Sequence, residues 1–300
     1  MDTIKSFKEL TAHLSAKGGR KCVAVVYGTT SSTQKAVCRA IKEGFITAVF
    51  VGGKSEIENV PEVKECGEYV CFEDAATPEE ASQKAVQLVK EGKADVLMKG
   101  LVNTDVLLKA VLNKENGILP KGNVLTHITV AEIPTYDKLL FFTDPAVIPY
   151  PTQEQRVEQV KYVTKICHSF GIEEPKISLI HSSEKVQEKH FPFTAGYRTI
   201  AEDAAKGVYG KCIVDGPLDV KTSCCLASMK TKGIESPING EADALIFPDI
   251  EAGNTFYKAI TLFAKANTAA ILQGPLAPVV LTSRSDSEDS KYCSLAFSAI

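Results

Sequence analysis

The sequence predicts an α/β protein of two domains, each a mainly parallel sheet flanked by helices. Two observations predict it. Short apolar runs alternate with helical stretches from about residue 20 onward, and a βαβα order of this kind favours a parallel sheet covered by helices on both faces. Midway, the segment Pro145-Ala146-Val147-Ile148-Pro149-Tyr150-Pro151 is too rich in proline to continue a helix or a central strand, and the alternation resumes beyond it.

Cys22–Tyr27 reads as a strand, followed by a helix over Ser32–Glu43 and a strand over Thr47–Val51. A helical segment broken by Pro61 leads to a strand at Tyr69–Phe72. Thr77 caps a helix over Pro78–Glu91, Asp95–Met98 is a strand, and Thr104–Leu112 is helical. Asn123–Val130 and Lys138–Phe142 read as neighbouring strands. Beyond the prolines come helix Gln153–Phe170, strand Lys176–Ile180, helix Tyr197–Lys206 and strand Cys212–Val214. Helix Asp219–Ala227, strand Ala244–Phe247 and helix Ala252–Ala266 follow, then strands Ala269–Leu272 and Val279–Leu281 and a last helix from Ser285. The final strands are expected to return to the first domain, which gives residues 1–143 plus 270–300 as one domain and 144–269 as the other.

Composition narrows the function. The 44% hydrophobic and 24% charged content is that of an ordinary globular protein, and 300 residues suffice for two buried cores. A net charge of −3 supplies no global basic field for nucleic acid or an anionic membrane, although local groups can still capture an anion. The nine cysteines form no C-x-x-C pair, and Cys22, Cys38, Cys212 and Cys293 sit in apolar runs, a usage that fits a reducing cytoplasm. The start has no signal-peptide core, and no apolar run is long enough to span a bilayer. The histidines His13, His127, His168, His181 and His190 lack metal spacing, and His181 and His190 read as surface residues.

Four strand-to-helix segments carry polar groups where α/β sheets collect ligands. Ser283-Arg284-Ser285-Asp286-Ser287-Glu288-Asp289 follows an apolar strand and opens a helix, with Ser285 and Glu288 at capping-box spacing. A helix N-terminus there favours phosphate, and Arg284 adds a forked cationic donor; Ser285 as a plain cap, with Asp286 and Asp289 complementing the dipole, is an equal reading. Ile246–Asn254 ends a strand in a turn carrying Asp249 and Asn254, with Lys258 one turn on; a capped turn with a solvated lysine reads the pattern slightly better. Asp219 is expected to cap the following helix. Lys99 stands at another strand end, where an exposed lysine is the default. Tyr27–Lys35 lacks the second glycine and Lys-Ser/Thr pair of a P-loop, and neither a G-x-S-x-G elbow nor a G-x-G-x-x-G fingerprint is present.

Together, the blocks Val214–Ser223 (VDGPLDVKTS), Glu241–Ile260 (EADALIFPDIEAGNTFYKAI), Leu272–Ser287 (LQGPLAPVVLTSRSDS) and Ala94–Leu112 (ADVLMKGLVNTDVLLKAVL) resemble the signature segments of the phosphate acetyl/butyryltransferase family. The resemblance runs from about Gly18 to the C-terminus, and Thr-Ser-Arg-Ser-Asp-Ser looks closer to the butyryl branch. It implies an isocitrate/isopropylmalate dehydrogenase-like fold with a cleft between domains and a homodimer or larger homo-oligomer. The implied reaction uses acyl-CoA and phosphate as substrates without metal or other cofactor. By the same resemblance Ser283 stabilises the oxyanion and Arg284 neutralises phosphate. Lys99, Thr104, Lys109, Asp249, Asn254, Tyr257 and Lys258 are substrate-binding candidates. The acetyltransferases' catalytic aspartate column falls on Ser290, so the base is sought nearby: Asp286 first, Asp289 second. Phosphate acetyltransferase, differing in acyl pocket size, and a non-catalytic acyl-CoA sensor are the alternatives.

Overall fold

A computed structural model describes residues 2–281 and 286–300. It divides into two compact bodies, one of Phe7–Leu125 with Thr268–Ile300 and one of Met1–Ser6 with Thr126–Asn267.

In the first body the chain runs α1 (Phe7–Lys17), β1 (Lys21–Val26), α2 (Ser31–Lys42), β2 (Ile46–Val51), the single turns α3 (Lys54–Ile57) and α4 (Pro61–Lys64), β3 (Val70–Glu73), α5 (Pro78–Lys90), β4 (Val96–Lys99) and α6 (Thr104–Val111). The second body holds β5 (Thr126–Glu132), β6 (Leu140–Thr143), α7 (Gln153–Ser169), β7 (Lys176–Ile180), α8 (Phe193–Ala205), β8 (Ile213–Leu218), α9 (Val220–Cys224), α10 (Leu226–Thr231), β9 (Ala244–Ile246) and α11 (Ile250–Phe263). Then β10 (Asn267–Gln273), β11 (Val279–Val280) and α12 (Glu288–Ala299) complete the first body.

The first body's strands lie in the order β3-β2-β1-β4-β11-β10. All pairs are parallel except β10 with β11. Val23–Val26 are wholly buried because this central strand has helices over both faces. The chain moves outward from β1 to β3 and then returns to β1's other side with β4. That reversal is a topological switch point, where the strand ends open a crevice. Because β11 runs parallel to β4, the carboxyl ends of β1, β4 and β11 share one edge.

In the second body the order is β5-β6-β9-β7-β8, with only β5 antiparallel to its neighbour. Its core gathers Phe142, Leu245, Phe247 and Ile260. Residues 126–143, expected with the first domain, fall in this body. Phe141–Thr143 register against Ala244–Ile246 of β9, so β6 is an inner strand here. Residues 144–151 therefore lie within a body rather than between domains.

Three of the differences from expectation have a clear physical cause. Helix α1 was not anticipated, though Phe7, Leu10 and Leu14, which it buries, have helical spacing. The helix expected over 219–227 breaks at Cys225, whose backbone is extended; the Ser223 carbonyl accepts from Ala242 N instead of continuing the helical ladder. The last helix starts at Glu288, not Ser285, because Ser287 is the residue whose hydroxyl accepts from a first-turn N–H, that of Ser290. Thr77 caps α5 as predicted, accepting from Glu80 N at 3.2 Å.

Candidate active site

The β1–β4–β11 edge is built by close backbone contact. Gly100 N donates to the Val26 carbonyl (2.8 Å) and Leu101 N to the Tyr27 carbonyl (2.7 Å), which zips the loop after β4 to the loop after β1. A Cβ at Gly100 would stand 2.3 Å from Tyr27 O and 2.5 Å from Val26 O, so only glycine fits. The segment 27–33, unassigned by its sequence, thereby comes beside Lys99, which registers against Val26.

Two lysines are buried at this edge. Lys99, expected to be exposed, retains 4% of its surface; as the last residue of a strand flanked on both sides, it turns its ammonium to the carbonyls of Gly100 (3.2 Å) and Val102 (3.3 Å). Lys291 of α12 retains 3%, and its Nζ donates to the Asp286 carbonyl (2.7 Å) and Ser32 Oγ (3.0 Å). Burial pushes the Lys291 pKa below its ordinary value, against the opposing pull of Asp286. The two helices that start from this edge, α2 and α6, have no side-chain cap on their N-termini. Thr30, at the cap position of α2, bonds Thr33 Oγ1 instead. Cationic groups and N-terminal N–H groups thus converge on one strand edge, an arrangement suited to anions.

The other first-body candidates are spread around that edge. Thr104 is the exposed first residue of α6. Lys109, on the same helix, lines a groove of about 530 Å³ with Glu79, Gln83, Gln87 and Asn113. Asp286 is half-buried and held through its carbonyl by Lys291. Asp289 faces another way: its exposed carboxylate pairs with Arg39 at 2.9 Å, and that guanidinium lies 3.7 Å from the Tyr292 ring centre. This pair fastens α12 to α2. Ser283, Arg284 and Ser285 lie outside the described residues.

The remaining four candidates belong to the second body. Asp249 caps α11, accepting from Ala252 N at 2.8 Å. Asn254 Nδ2 donates to the Pro145 carbonyl (3.0 Å), and Gly253 allows the helix to approach Asp144, whose carbonyl would be 2.6 Å from an added Cβ. Tyr257 packs against Phe142 in the core, and exposed Lys258 lies over the Tyr257 ring. Asp219 caps α9 as expected, accepting from Thr222 N.

The sequence did not single out Asp144, Arg156 or Lys291. Asp144 is buried, and its carboxylate accepts from Thr126 Oγ1 and from the backbone N–H groups of His127, Ala146, Val147 and Ile148. Buried Arg156 donates to the Pro248 carbonyl at 2.8 Å and lies over Phe193. For Lys291 a signal existed: it precedes Tyr292 and Leu295 on the buried side of its helix. His181, read as a surface residue, is buried between Phe191 and Phe193, and that burial pushes its pKa down. Among the described residues no group of three or more His, Cys, Asp or Glu side chains comes together as a metal site, and no helix is long and apolar enough to cross a membrane.

Residues 67–299 match the family model described as phosphate acetyl/butaryl transferase. The chain belongs to this family. It is 38% identical to a phosphate butyryltransferase from Clostridium acetobutylicum over 99% of this chain and 98% of that one. With a phosphate acetyltransferase from Thermotoga maritima it shares 37% identity over 95% of this chain and 96% of the other. Among solved structures, a branched-chain phosphotransacylase from Enterococcus faecalis superposes with a TM-score of 0.82 at 29% identity, covering 93% of this chain and 97% of that one. Family membership makes the chain an acyl-transferring enzyme and meets the resemblance drawn from the Ala94–Leu112, Val214–Ser223, Glu241–Ile260 and Leu272–Ser287 blocks.

Proposed function

We propose that this chain is a phosphate butyryltransferase, reversibly converting butyryl-CoA and phosphate to butyryl phosphate and CoA in the cytoplasm. The observation that carries the reading is the pairing of two buried lysines with two N-termini lacking side-chain caps at the β1–β4–β11 edge, in a chain 38% identical to a butyryltransferase. Phosphate and the acyl phosphate are anions, and such an edge favours them over neutral ligands.

In the direction of acyl phosphate consumption, Asp286 takes the thiol proton of CoA. The thiolate sulfur bonds to the acyl carbon, the carbonyl electrons move to oxygen, and Ser283 with backbone N–H groups donates to that oxyanion. As the carbonyl reforms, the bond to the phosphate oxygen breaks and phosphate departs beside Arg284. A thiol pKa near ~8.5 makes proton removal a modest task at neutral pH, so orientation supplies more of the rate. Both substrates are present in one ternary complex, with no resident metal or cofactor. A homodimer or higher homo-oligomer is the working assembly.

Thiol release from acetyl-, butyryl- and branched acyl-CoA, with and without phosphate, tests the proposal. Phosphate-dependent release fastest with butyryl-CoA is expected. Fastest release from acetyl-CoA would favour the acetyltransferase reading supported by the Thermotoga maritima relative, and none from any thioester would leave a binding protein. Arg284→Ala is expected to lower turnover roughly a hundredfold and weaken phosphate saturation; near-normal phosphate-dependent turnover would remove Arg284 from the mechanism.

A further inference from the structure

We propose that Lys291 is a positioning residue for acyl transfer, its ammonium tying the Asp286 backbone to the first turn of α2 through Ser32. This rests on the reading of Asp286 as the base. Lys291 is not named by any of the four sequence blocks that carry the family resemblance, since the last of these ends at Ser287.

A lysine buried to 3% exposure is costly unless its charge is well partnered, and this one is partnered chiefly by backbone and hydroxyl oxygens. The shorter bond goes to the carbonyl of Asp286, five residues earlier and outside the helix that Lys291 belongs to. The longer bond reaches Ser32, 259 positions away in sequence, on the helix that leaves the β1 strand end. One ammonium therefore fixes residue 286 relative to the β1–α2 turn. Ser287 caps α12 immediately afterwards, accepting from Ser290 N. Asp286 is held between these two anchors, so its backbone has little freedom to drift from the strand edge. A packing role alone would be met by methionine, which fills a similar volume without the charge. The directed bonds are what methionine cannot supply, and losing about 1 Å of placement at a base is enough to cost about a hundredfold in rate.

Lys291→Met, Lys291→Arg, Ser32→Ala and the double variant Ser32→Ala/Lys291→Met are compared on the intact chain. The readouts are kcat and KM for butyryl-CoA and phosphate, and backbone hydrogen exchange of residues 286–290. Lys291→Met is expected to lower kcat by about 10- to 100-fold with both KM values changed less than about threefold. Lys291→Arg, which keeps donors, should recover part of the loss. Ser32→Ala should lower kcat less, add nothing in the double variant, and speed exchange at 286–290. Wild-type kcat in Lys291→Met, or a KM effect with unchanged kcat, would overturn the proposal. Should Lys291→Met fail to fold, Ser32→Ala decides: unchanged kcat and unchanged exchange overturn it. Absence of thiol release by the wild-type chain would count against the acyl-transfer reading instead, and the exchange data would still report whether the Ser32–Lys291–Asp286 tie holds.

Discussion

The two bodies use the same strand–helix architecture but finish their strand edges with opposite chemistry. In the second body the edge is rich in carboxylates already occupied by the protein's own N–H groups: Asp144 by four backbone donors and a hydroxyl, Asp219 by Thr222, Asp249 by Ala252. In the first body the edge carries buried lysines, and the helices α2 and α6 start without side-chain caps. A self-capped edge is closed to anions and secures the fold. An edge of cations and N-terminal donors sacrifices some stability and is available to phosphate. The comparison predicts that substitutions in the second body's carboxylates act on stability, and those at the first body's edge on turnover.

The largest stability effect is expected at Asp144. Asp144→Ala leaves five donors facing no carboxylate and should cost about 3 kcal/mol or more in urea unfolding. A cost under about 1 kcal/mol would show that the loop 144–148 is held by something else. Gly100→Ala comes next. Its Cβ would meet backbone atoms of Val26 and Tyr27 that cannot swing aside, so about 2 kcal/mol should be lost along with turnover. Full activity in that variant would mean that the β1 and β4 loops can part without consequence.

The smallest of these effects is at Asp219, where it is also dependent on pH. Burial pushes this carboxyl's pKa up, but the ion pair with Lys232 and the Thr222 N–H outweigh it and hold the pKa at about 2. Because the folded value lies below the unfolded one of about 3.9, the stabilisation is complete above that value and disappears as pH falls through about 2. Asp219→Asn should cost about 1 kcal/mol at neutral pH with kcat retained, and should flatten the acid limb of the stability curve. An unchanged acid limb would contradict the role given to this pair.

Much of this contrast was legible in the sequence, and unevenly. Pro145–Pro151, read as a crossing between domains, lies within the second body, whereas the strand runs revealed the α/β alternation because apolar period is a local signal. Asp219 and Thr77 were readable as caps for the same reason. The burial of Lys99 was not readable: it follows from β4 lying between β1 and β11, a pairing of segments some 70 and 180 residues apart in sequence. Likewise the 27–33 turn has no phosphate-loop pattern, and gains meaning only through Gly100 and Lys99. The 126–143 strands do pair with each other as read, but they were placed in the other domain because a strand's sequence encodes its burial and not its further partner, which for β6 is β9. Asp289 and Asp286 are the same residue type three positions apart, yet the helix start at Glu288 separates a surface ion pair from a residue held through its carbonyl by Lys291.

The most direct test of the account is the phosphate saturation curve for thiol release from butyryl-CoA by Lys99→Met, set beside wild type with melting measured on both. Lys99 donates to the carbonyls of Gly100 and Val102, and methionine has the length to fill its space without the charge. A variant that still melts cooperatively, with a loss of at least about tenfold in kcat/KM for phosphate, is the expected result. A saturation curve matching wild type would contradict the assignment of anion chemistry to the first body's strand edge.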